Sequence, residues 1–169
     1  IGKIWKNENR SPVKYEELSP YLVDALIATE DERFRKHSGI DVRSTMRAVV
    51  FLGSRGGAST LTQQLAKQLF TKNASQNKIE RVIQKFQEWI IAAQLERSYT
   101  KDEIITMYFN TYDFLYNAYG IKNASLTYFN KLPSELTIEE AATLVGMAKN
   151  PILYNPIRNP ENSLARRNT

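Results

Sequence analysis

The sequence predicts a mainly α fold. Three observations support it: helical periodicity of apolar residues dominates, capping residues recur at segment ends, and strand signals are nearly absent outside the Ile4 region. The chain has 169 residues, enough for one domain with a core, and lacks internal repeats. We therefore predict a single domain over residues 1–169. Because it opens on IGKIW and closes within a helix, we interpret it as an excised part of a longer protein.

Capping and stop residues divide the chain into helices. Pro20 suits a first helical position and Gly39 suits a stop, so the first helix is predicted over residues 20–37. The other predicted helices are Val42 to Leu52 before a GSRGG loop, a helix capped by Ser59 or Thr60 and bearing Leu61, Leu65 and Leu69, Lys78 to Ser98, Thr100 to Tyr108, Ala118 to Asn130, Thr137 to Ala148, and a last one begun by Asn159-Pro160.

Composition limits the partners of this chain. It has 23 Lys and Arg against 18 Asp and Glu, a net charge of +5 that favours an anionic partner such as phosphate or a membrane surface. Nucleic acid is not expected, because the acids are interspersed among the bases and no nucleic-acid-binding motif is present. Without cysteine there is no disulfide and no thiolate metal site. The longest apolar runs are too short to cross a bilayer.

The stretch ATEDERFRKHSG at residues 28–39 holds three consecutive acids and the single histidine, His37. On the predicted helix, Glu30 falls on the apolar stripe, Asp31 at its flank and Glu32 on the opposite side. An apolar setting disfavours the charged form of a carboxylate, which suits Glu30 to general acid or base chemistry. The alternative is a boundary carboxylate paired with a neighbouring arginine. His37 is expected to cap carbonyls or fill a core edge.

A second polar stretch, GGASTLTQQLAK, covers residues 56–67. Its glycines permit unusual backbone angles, its hydroxyls can cap a helix, and Gln63 and Lys67 share a face at four-residue spacing. Free backbone N–H groups at a helix start attract anions, although the spacing does not match a nucleotide-binding P-loop. A plain capped hairpin between helices is the alternative.

The helix from Lys78 to Ser98 carries two patterns. One face carries charged residues at spacings of three and four: Lys78, Arg81, Lys85 and Glu88. The same face continues into Ala92 and Leu95. This pattern predicts that the charged half of the helix borders a cleft and that the apolar half enters the core. An exposed ion pair is the alternative for Lys85 and Glu88. The apolar stripe of the helix consists of Ile79, Val82, Ile83, Phe86, Ile90 and Ala93.

The region from Val42 to Arg55 pairs apolar residues with arginines. Met46 and Phe51 lie among Arg43, Arg47 and Arg55, a composition suited to an interfacial helix on anionic lipid. A core helix is the alternative.

Together these stretches resemble glycosyltransferase family 51, the peptidoglycan glycosyltransferase domain of class A penicillin-binding proteins and monofunctional transglycosylases. EDERFRKHSG resembles the Glu-Asp-x-x-Phe-x-x-His-x-Gly signature of the family, and GASTLTQQLAK is similar to its second motif. The third, fourth and fifth motifs are matched by KFQEWIIAAQLERSYTKDEIITMYFN, YGIKNASLTYFNK and LTIEEAATLVGMAKNPILYNP. The resemblance runs from about residue 15 to the C-terminus, in the order of the family.

The resemblance implies a lysozyme-like helical fold with a large lobe and a smaller, membrane-facing jaw. It also implies an enzyme that polymerises lipid II, in which the acceptor 4-hydroxyl attacks the anomeric carbon of the growing chain, inverts it to a β-1,4 link and expels undecaprenyl pyrophosphate. Such proteins work at the outer, periplasmic face of the bacterial cytoplasmic membrane, held by an anchor. A transpeptidase domain follows in bifunctional members, and a monofunctional parent is left open.

The resemblance also implies roles for residues of this chain. Glu30 matches the general base, and Glu88 matches a second Glu that either holds a divalent cation, Mg or Mn, or orients donor groups; no organic cofactor is implied. Lys67 and Lys85 match cations for the pyrophosphate, and Arg81 compensates for Gln84, which stands where the family has Arg. The residues implied to contact sugar or diphosphate are Ser59, Thr60, Gln63 and Gln64. Those implied to shape the first motif are Asp31, Phe34, His37 and Gly39.

One rival enzyme class fits part of this pattern. A lysozyme-like peptidoglycan hydrolase or lytic enzyme also uses one protonatable Glu on a helical domain. It has no need for the two cations at Lys67 and Lys85, so the pattern favours the polymerase.

Overall fold

The computed structural model describes residues 11–50, 59–70 and 77–169, and the mainly α class is confirmed there. The helices in these ranges are α1 (Pro20–Glu30), α2 (Val42–Val50), α3 (Leu61–Phe70), α4 (Lys78–Ser98), α5 (Lys101–Thr111), α6 (Ile121–Phe129), α7 (Ile138–Lys149) and α8 (Pro160–Arg167). Short 3-10 turns lie at Tyr15–Glu17, Phe34–Lys36 and Pro133–Glu135. Across the described ranges, no helix combines the length and hydropathy of a membrane span.

The chain forms two compact units. The first contains residues 11–26 and Phe109–Thr169, and the second is Ile27–Tyr108. Our expectation of a single domain over residues 1–169 stays a prediction.

In the first unit, α7 packs on both α6 and α8. The Tyr128 hydroxyl donates to the Phe114 carbonyl at 2.6 Å and accepts from the Asn155 amide at 2.9 Å. Burial raises the pKa of Tyr128 to about 12, so this hydroxyl keeps its proton as a donor. Because Asn155 is itself fully buried and caps the turn at Ile157, these bonds hold the loop before α8 against α6.

A tight bend precedes α6. Leu115, Tyr116 and Asn117 have φ values of 66°, 50° and 60°, so three successive residues with side chains adopt the left-handed region. Each such residue costs about 1–2 kcal/mol relative to an ordinary conformation. The bend closes on a bridge between Asp113 and Tyr119, which supplies the hydrogen bonds that keep it folded.

In the second unit, α3 packs along α4 over a core that includes Leu61, Leu65 and Ala92. Behind this pair, Lys101 Nζ lies 2.7 Å from the Glu96 carboxylate, which also accepts from the Thr62 hydroxyl. Glu96 is nearly inaccessible, and a buried charge is tolerated only when it is paired in this way. The ion pair therefore joins the ends of three helices, α3, α4 and α5.

The predicted helix over residues 20–37 is wrong beyond Glu30. The chain leaves α1 there and continues through a turn and the 3-10 turn Phe34–Lys36 to Gly39. The physical reason is that the Asp31 side chain is buried against α3, whereas the prediction placed it at the flank of the apolar stripe of a continuing helix. A contact across 30 residues overrides the local helical pattern.

Most other predicted helix starts are confirmed, but the helix predicted to end at Tyr108 continues to Thr111. Helix α4 has the predicted span, Thr60 caps α3, and both capping boxes form at Thr100 and Thr137. Helix α6 is shorter than predicted, because the bend occupies its first positions. The expected strand near Ile4, the GSRGG loop, the end of the second helix at Gly53 and most of TKNASQN lie outside the described residues.

The apolar stripe of α4 faces outward. Ile79, Val82, Ile83, Phe86 and Ile90 are 71%, 56%, 52%, 57% and 60% exposed, whereas on the opposite side Glu88 is 6% exposed and Ala92 is fully buried. The prediction that the face of Ala92 enters the core is confirmed. A surface helix normally turns its apolar stripe inward, so α4 is inverted over most of its length.

Candidate active site

The segment that follows Glu30 is fixed by Asp31. This buried carboxylate accepts from the Leu61 backbone N–H at 2.9 Å, at the first turn of α3. Both of its oxygens lie 3.0 Å from His37 Nε2. A carboxylate at a helix N-terminus satisfies an otherwise unpaired N–H and complements the helix dipole. Asp31 therefore ties the end of α1, the His37 loop and the start of α3 together.

Gly39 closes the same segment against α4. Its carbonyl accepts from the Thr60 hydroxyl at 2.7 Å and from the Gln63 amide at 3.3 Å. Its φ is +86°, and a Cβ added there would lie 2.9 Å from the Ala92 carbonyl oxygen. Only glycine fits both the conformation and the space.

A polar pocket of about 250 Å³ opens beside Glu30. It is lined by residues from the end of α1, the segment after it, α2 and the start of α3: Ala28, Thr29, Glu30, Asp31, Glu32, Arg33, Asp41, Ser44, Arg47, Ser59 and Thr60. Two cations and four acids thus share its walls with hydroxyls, a lining suited to a polar ligand with many hydroxyl groups.

Asp41 organises one wall of the pocket. Its side chain accepts from the Arg43 and Ser44 backbone N–H groups and from the Ser44 hydroxyl, so it caps α2. Arg33 lies 3.6 Å away. Burial alone would raise the pKa of Asp41, but the Ser44 hydrogen bonds and the Arg33 charge hold that pKa below its ordinary value. Asp41 therefore stays ionised and holds Arg33 at the pocket.

The Glu30 carboxylate is held by α3. Its Oε2 accepts from the Gln64 side-chain amide at 3.1 Å, and Gln64 Oε1 accepts from the Tyr108 hydroxyl at 3.3 Å. Glu30 and Gln64 are half-buried, whereas Tyr108 is 1% exposed. A carboxylate at the rim of the pocket is thus connected to the core of the second unit.

Lys85 contacts the pocket lining through Ser59 and pairs with Glu88. The Lys85 ammonium donates to the Ser59 hydroxyl at 2.8 Å and to the Glu88 carboxylate at 2.9 Å. The Glu88 side chain is 8% exposed and that of Lys85 is 40% exposed. The pair therefore differs from an ordinary surface ion pair, because its carboxylate is buried and its ammonium stays accessible.

This geometry agrees with a comparison against known families. A family model described as Transglycosylase matches residues 1–169. The chain belongs to the transglycosylase family. It is 42% identical over 166 residues to penicillin-binding protein 1F of Bacillus subtilis, covering 96% of this chain and 22% of that protein. It is 41% identical over 157 residues to penicillin-binding protein 2a of Streptococcus pneumoniae, covering 93% of this chain and 21% of that protein.

The family assignment makes this chain a transglycosylase domain, an enzyme of the peptidoglycan glycosyltransferase class. Penicillin-binding protein 1A of Neisseria flavescens is a further relative, 41% identical over 96% of this chain. The chain spans about a fifth of the length of these curated relatives. Nothing in the comparisons favours the lytic alternative.

Other expected site residues of the transglycosylase domain lie in different settings. Lys67 on α3 and Arg81 on α4 are exposed, and neither lines the described pocket. Gln63 is 1% exposed and braces Gly39, so this geometry gives it a supporting contact where a substrate contact was expected. Phe34 is fully buried and lies edge-on to His37.

Sequence reasoning missed three features of this transglycosylase site. Arg33 and Asp41 were not singled out, although an Asp three residues before a Ser at a helix start is a recognisable capping signal. Tyr108 was predicted as the last residue of a helix, and no local pattern connects it to Gln64, 44 positions earlier.

Glu88 by itself does not form a site for a divalent cation, and the expected Mg or Mn stays a prediction. Its carboxylate is bonded to the Lys85 ammonium, which would repel a metal ion. Within residues 11–50, 59–70 and 77–169, no group of three or more His, Cys, Asp or Glu could hold one. No catalytic step is therefore assigned to Mg or Mn.

Proposed function

We propose that this domain polymerises lipid II into β-1,4-linked glycan strands. The observation that carries the proposal is the Glu30 carboxylate, which is held by Gln64 and shares its pocket with Ser59, the partner of Lys85. A base for a sugar hydroxyl and a cation for a leaving pyrophosphate are the two groups that this reaction requires.

The proposed reaction is a single inverting displacement. Glu30 takes the proton of the acceptor 4-hydroxyl as its oxygen bonds to the anomeric carbon of the donor. The bond from that carbon to the pyrophosphate oxygen breaks, and undecaprenyl pyrophosphate leaves with the electron pair. Lys85 stabilises the negative charge on the leaving group, and Lys67 and Arg81 add positive charge as the donor binds. Glu88 orients the Lys85 ammonium.

Labelled lipid II tests the proposal directly. We expect the domain to convert it into glycan polymer that lysozyme digests, with release of undecaprenyl pyrophosphate. A parallel incubation with finished peptidoglycan should release no fragments. Fragment release without polymer formation would establish the lytic function instead.

The second partner that we propose is a membrane surface, contacted by the outward stripe of α4. Other exposed apolar side chains of the same unit support this assignment: Val42, Met46, Leu69 and Phe70. The exposed cations Arg43 and Arg47 follow Val42 and Met46 on α2, which suits contact with anionic lipid. The expected interfacial region from Val42 onward is thereby extended to α4, and a location at the outer face of the cytoplasmic membrane is proposed with it.

Vesicles of phosphatidylglycerol and phosphatidylethanolamine test this surface. We expect Ile83→Glu to lower vesicle affinity by about tenfold or more. The substitution removes apolar area that would be buried in the lipid on binding, and it adds a charge that anionic lipid repels. Sedimentation of the domain with the vesicles measures the change. The matched control is Ile138→Glu, at an isoleucine of α7 that is 58% exposed, and it should stay within about twofold. Equal losses of vesicle affinity for both variants would show that the stripe of α4 does not contact the membrane.

We further propose that the parent protein carries a membrane anchor and a transpeptidase domain. The support is that the relatives are named penicillin-binding proteins and are about five times as long as this chain. Covalent labelling of the full-length protein by a fluorescent penicillin would test for the transpeptidase domain.

A further inference from the structure

Glu30 is the last residue of α1, so helical backbone supports it on one side only. The ends of helices fray, and a carboxylate there needs side-chain contacts to keep one orientation. The hydrogen bond from Gln64 at 3.1 Å is such a contact, but Gln64 itself is half-buried and has three rotatable side-chain bonds.

Tyr108 supplies the fixed end of this connection. Its ring is 1% exposed in the core of the second unit, so its hydroxyl has a well-defined position. An ionised carboxylate only accepts hydrogen bonds, so Gln64 must present its NH₂ to Glu30 and its oxygen to Tyr108. The Tyr108 hydroxyl is then the donor.

Hydrogen bonds in such a chain strengthen one another. Donation to the amide oxygen of Gln64 polarises the amide and makes its N–H groups better donors to the carboxylate. The same donation restricts the amide to one orientation. Loss of the Tyr108 hydroxyl should therefore weaken the Gln64–Glu30 contact.

We propose that Tyr108 is a positioning residue that acts through Gln64 to orient the Glu30 carboxylate at the pocket. This inference rests on the proposed function of Glu30 as general base. It also gives Gln64 a role different from the substrate contact expected from the sequence, because its amide is engaged within the domain.

A double-mutant cycle on lipid II polymerisation tests this proposal. Tyr108→Phe keeps the ring and removes the hydroxyl, and we expect kcat to fall about three- to tenfold with KM little changed. Gln64→Met should cost about 10- to 100-fold, since it removes a hydrogen bond to a charged group. In the Gln64→Met background, Tyr108→Phe should have no further effect, because the intermediary is gone.

The pH profile provides a readout that a purely structural role would not move. The hydrogen bond that Gln64 donates to Glu30 favours the ionised carboxylate, which is the form that acts as base. Loss or weakening of this hydrogen bond in Gln64→Met and in Tyr108→Phe should therefore shift the acid limb of the kcat/KM profile to higher pH. The other charged groups lining the pocket are Asp31, Glu32, Arg33, Asp41 and Arg47, and all are retained in these variants.

Tyr128→Phe is the matched control. It removes a half-buried hydroxyl that makes two hydrogen bonds in the first unit, so it should lower stability while leaving the pH profile unchanged. A wild-type domain that fails to polymerise lipid II would overturn the proposed function. An active wild type with additive effects of Tyr108→Phe and Gln64→Met, or an unshifted acid limb, would overturn the role of Tyr108.

Discussion

Replacing Glu30 by Gln is expected to lower the rate of glycan polymerisation by about 10²- to 10⁴-fold, the usual contribution of general acid–base catalysis. The amide has nearly the shape of the carboxylate but cannot take the proton of the acceptor hydroxyl. The free energy of unfolding should change little, because Glu30 is half-buried and its site at the pocket rim admits a neutral side chain. Single-turnover conversion of labelled lipid II measures the effect.

Asp24→Asn is a suitable control for this variant. Asp24 is an exposed acid on the same helix, so the substitution makes the same change of charge away from the pocket. It should retain wild-type activity. A Glu30→Gln domain that polymerises within about tenfold of wild type would remove Glu30 from the mechanism.

Replacing Gly39 by Ala is expected to lower the free energy of unfolding by roughly 2–5 kcal/mol. The left-handed conformation costs about 1–2 kcal/mol for a residue with a Cβ, and overpacking against α4 adds about 1–3 kcal/mol. The contact is with backbone, at 2.9 Å from the Ala92 carbonyl oxygen, so no side-chain rotation relieves it. Chemical denaturation followed by circular dichroism measures the loss.

Gly146→Ala offers the comparison. Gly146 is also buried, but it lies within α7, and its added Cβ would lie 3.2 Å from Cγ of the flexible Arg166 side chain. The better helix propensity of Ala offsets this contact, so we expect a change within about 1 kcal/mol. Similar losses of unfolding free energy in Gly39→Ala and Gly146→Ala would mean that the backbone conformation and the close contact at Gly39 do not constrain that position.

Local patterns in the sequence were sufficient for most helices. Thr100 with Glu103 and Thr137 with Glu140 predicted two helix starts, because a capping box depends on residues only three apart. The unbroken periodicity of α4 likewise predicted its span. The end of α1 could not be found in this way, since it depends on a bond from Asp31 to Leu61.

The orientation of helices and the contacts between distant segments could not be predicted from the sequence either. Periodicity identifies the apolar stripe of α4 but not the side on which the core lies, and here the buried side carries Glu88. The first motif was recognised by its residue types, yet the bracing contacts of Asp31 and Gly39 come from α3 and α4. Contacts between distant segments are not encoded in any single stretch, so the Tyr108 connection to Gln64 required the structure.

The inverted arrangement of α4 has a consequence for sequence variation. Exposed positions of a helix ordinarily accept almost any polar residue, so exposure is used to judge which substitutions a protein tolerates. At Ile83 and Phe86 this rule should fail, because selection for lipid contact would keep accessible positions apolar. Among homologues, substitutions at the exposed apolar positions of α4 should therefore be limited to other apolar residues. Such a pattern is usual for positions in a protein interior.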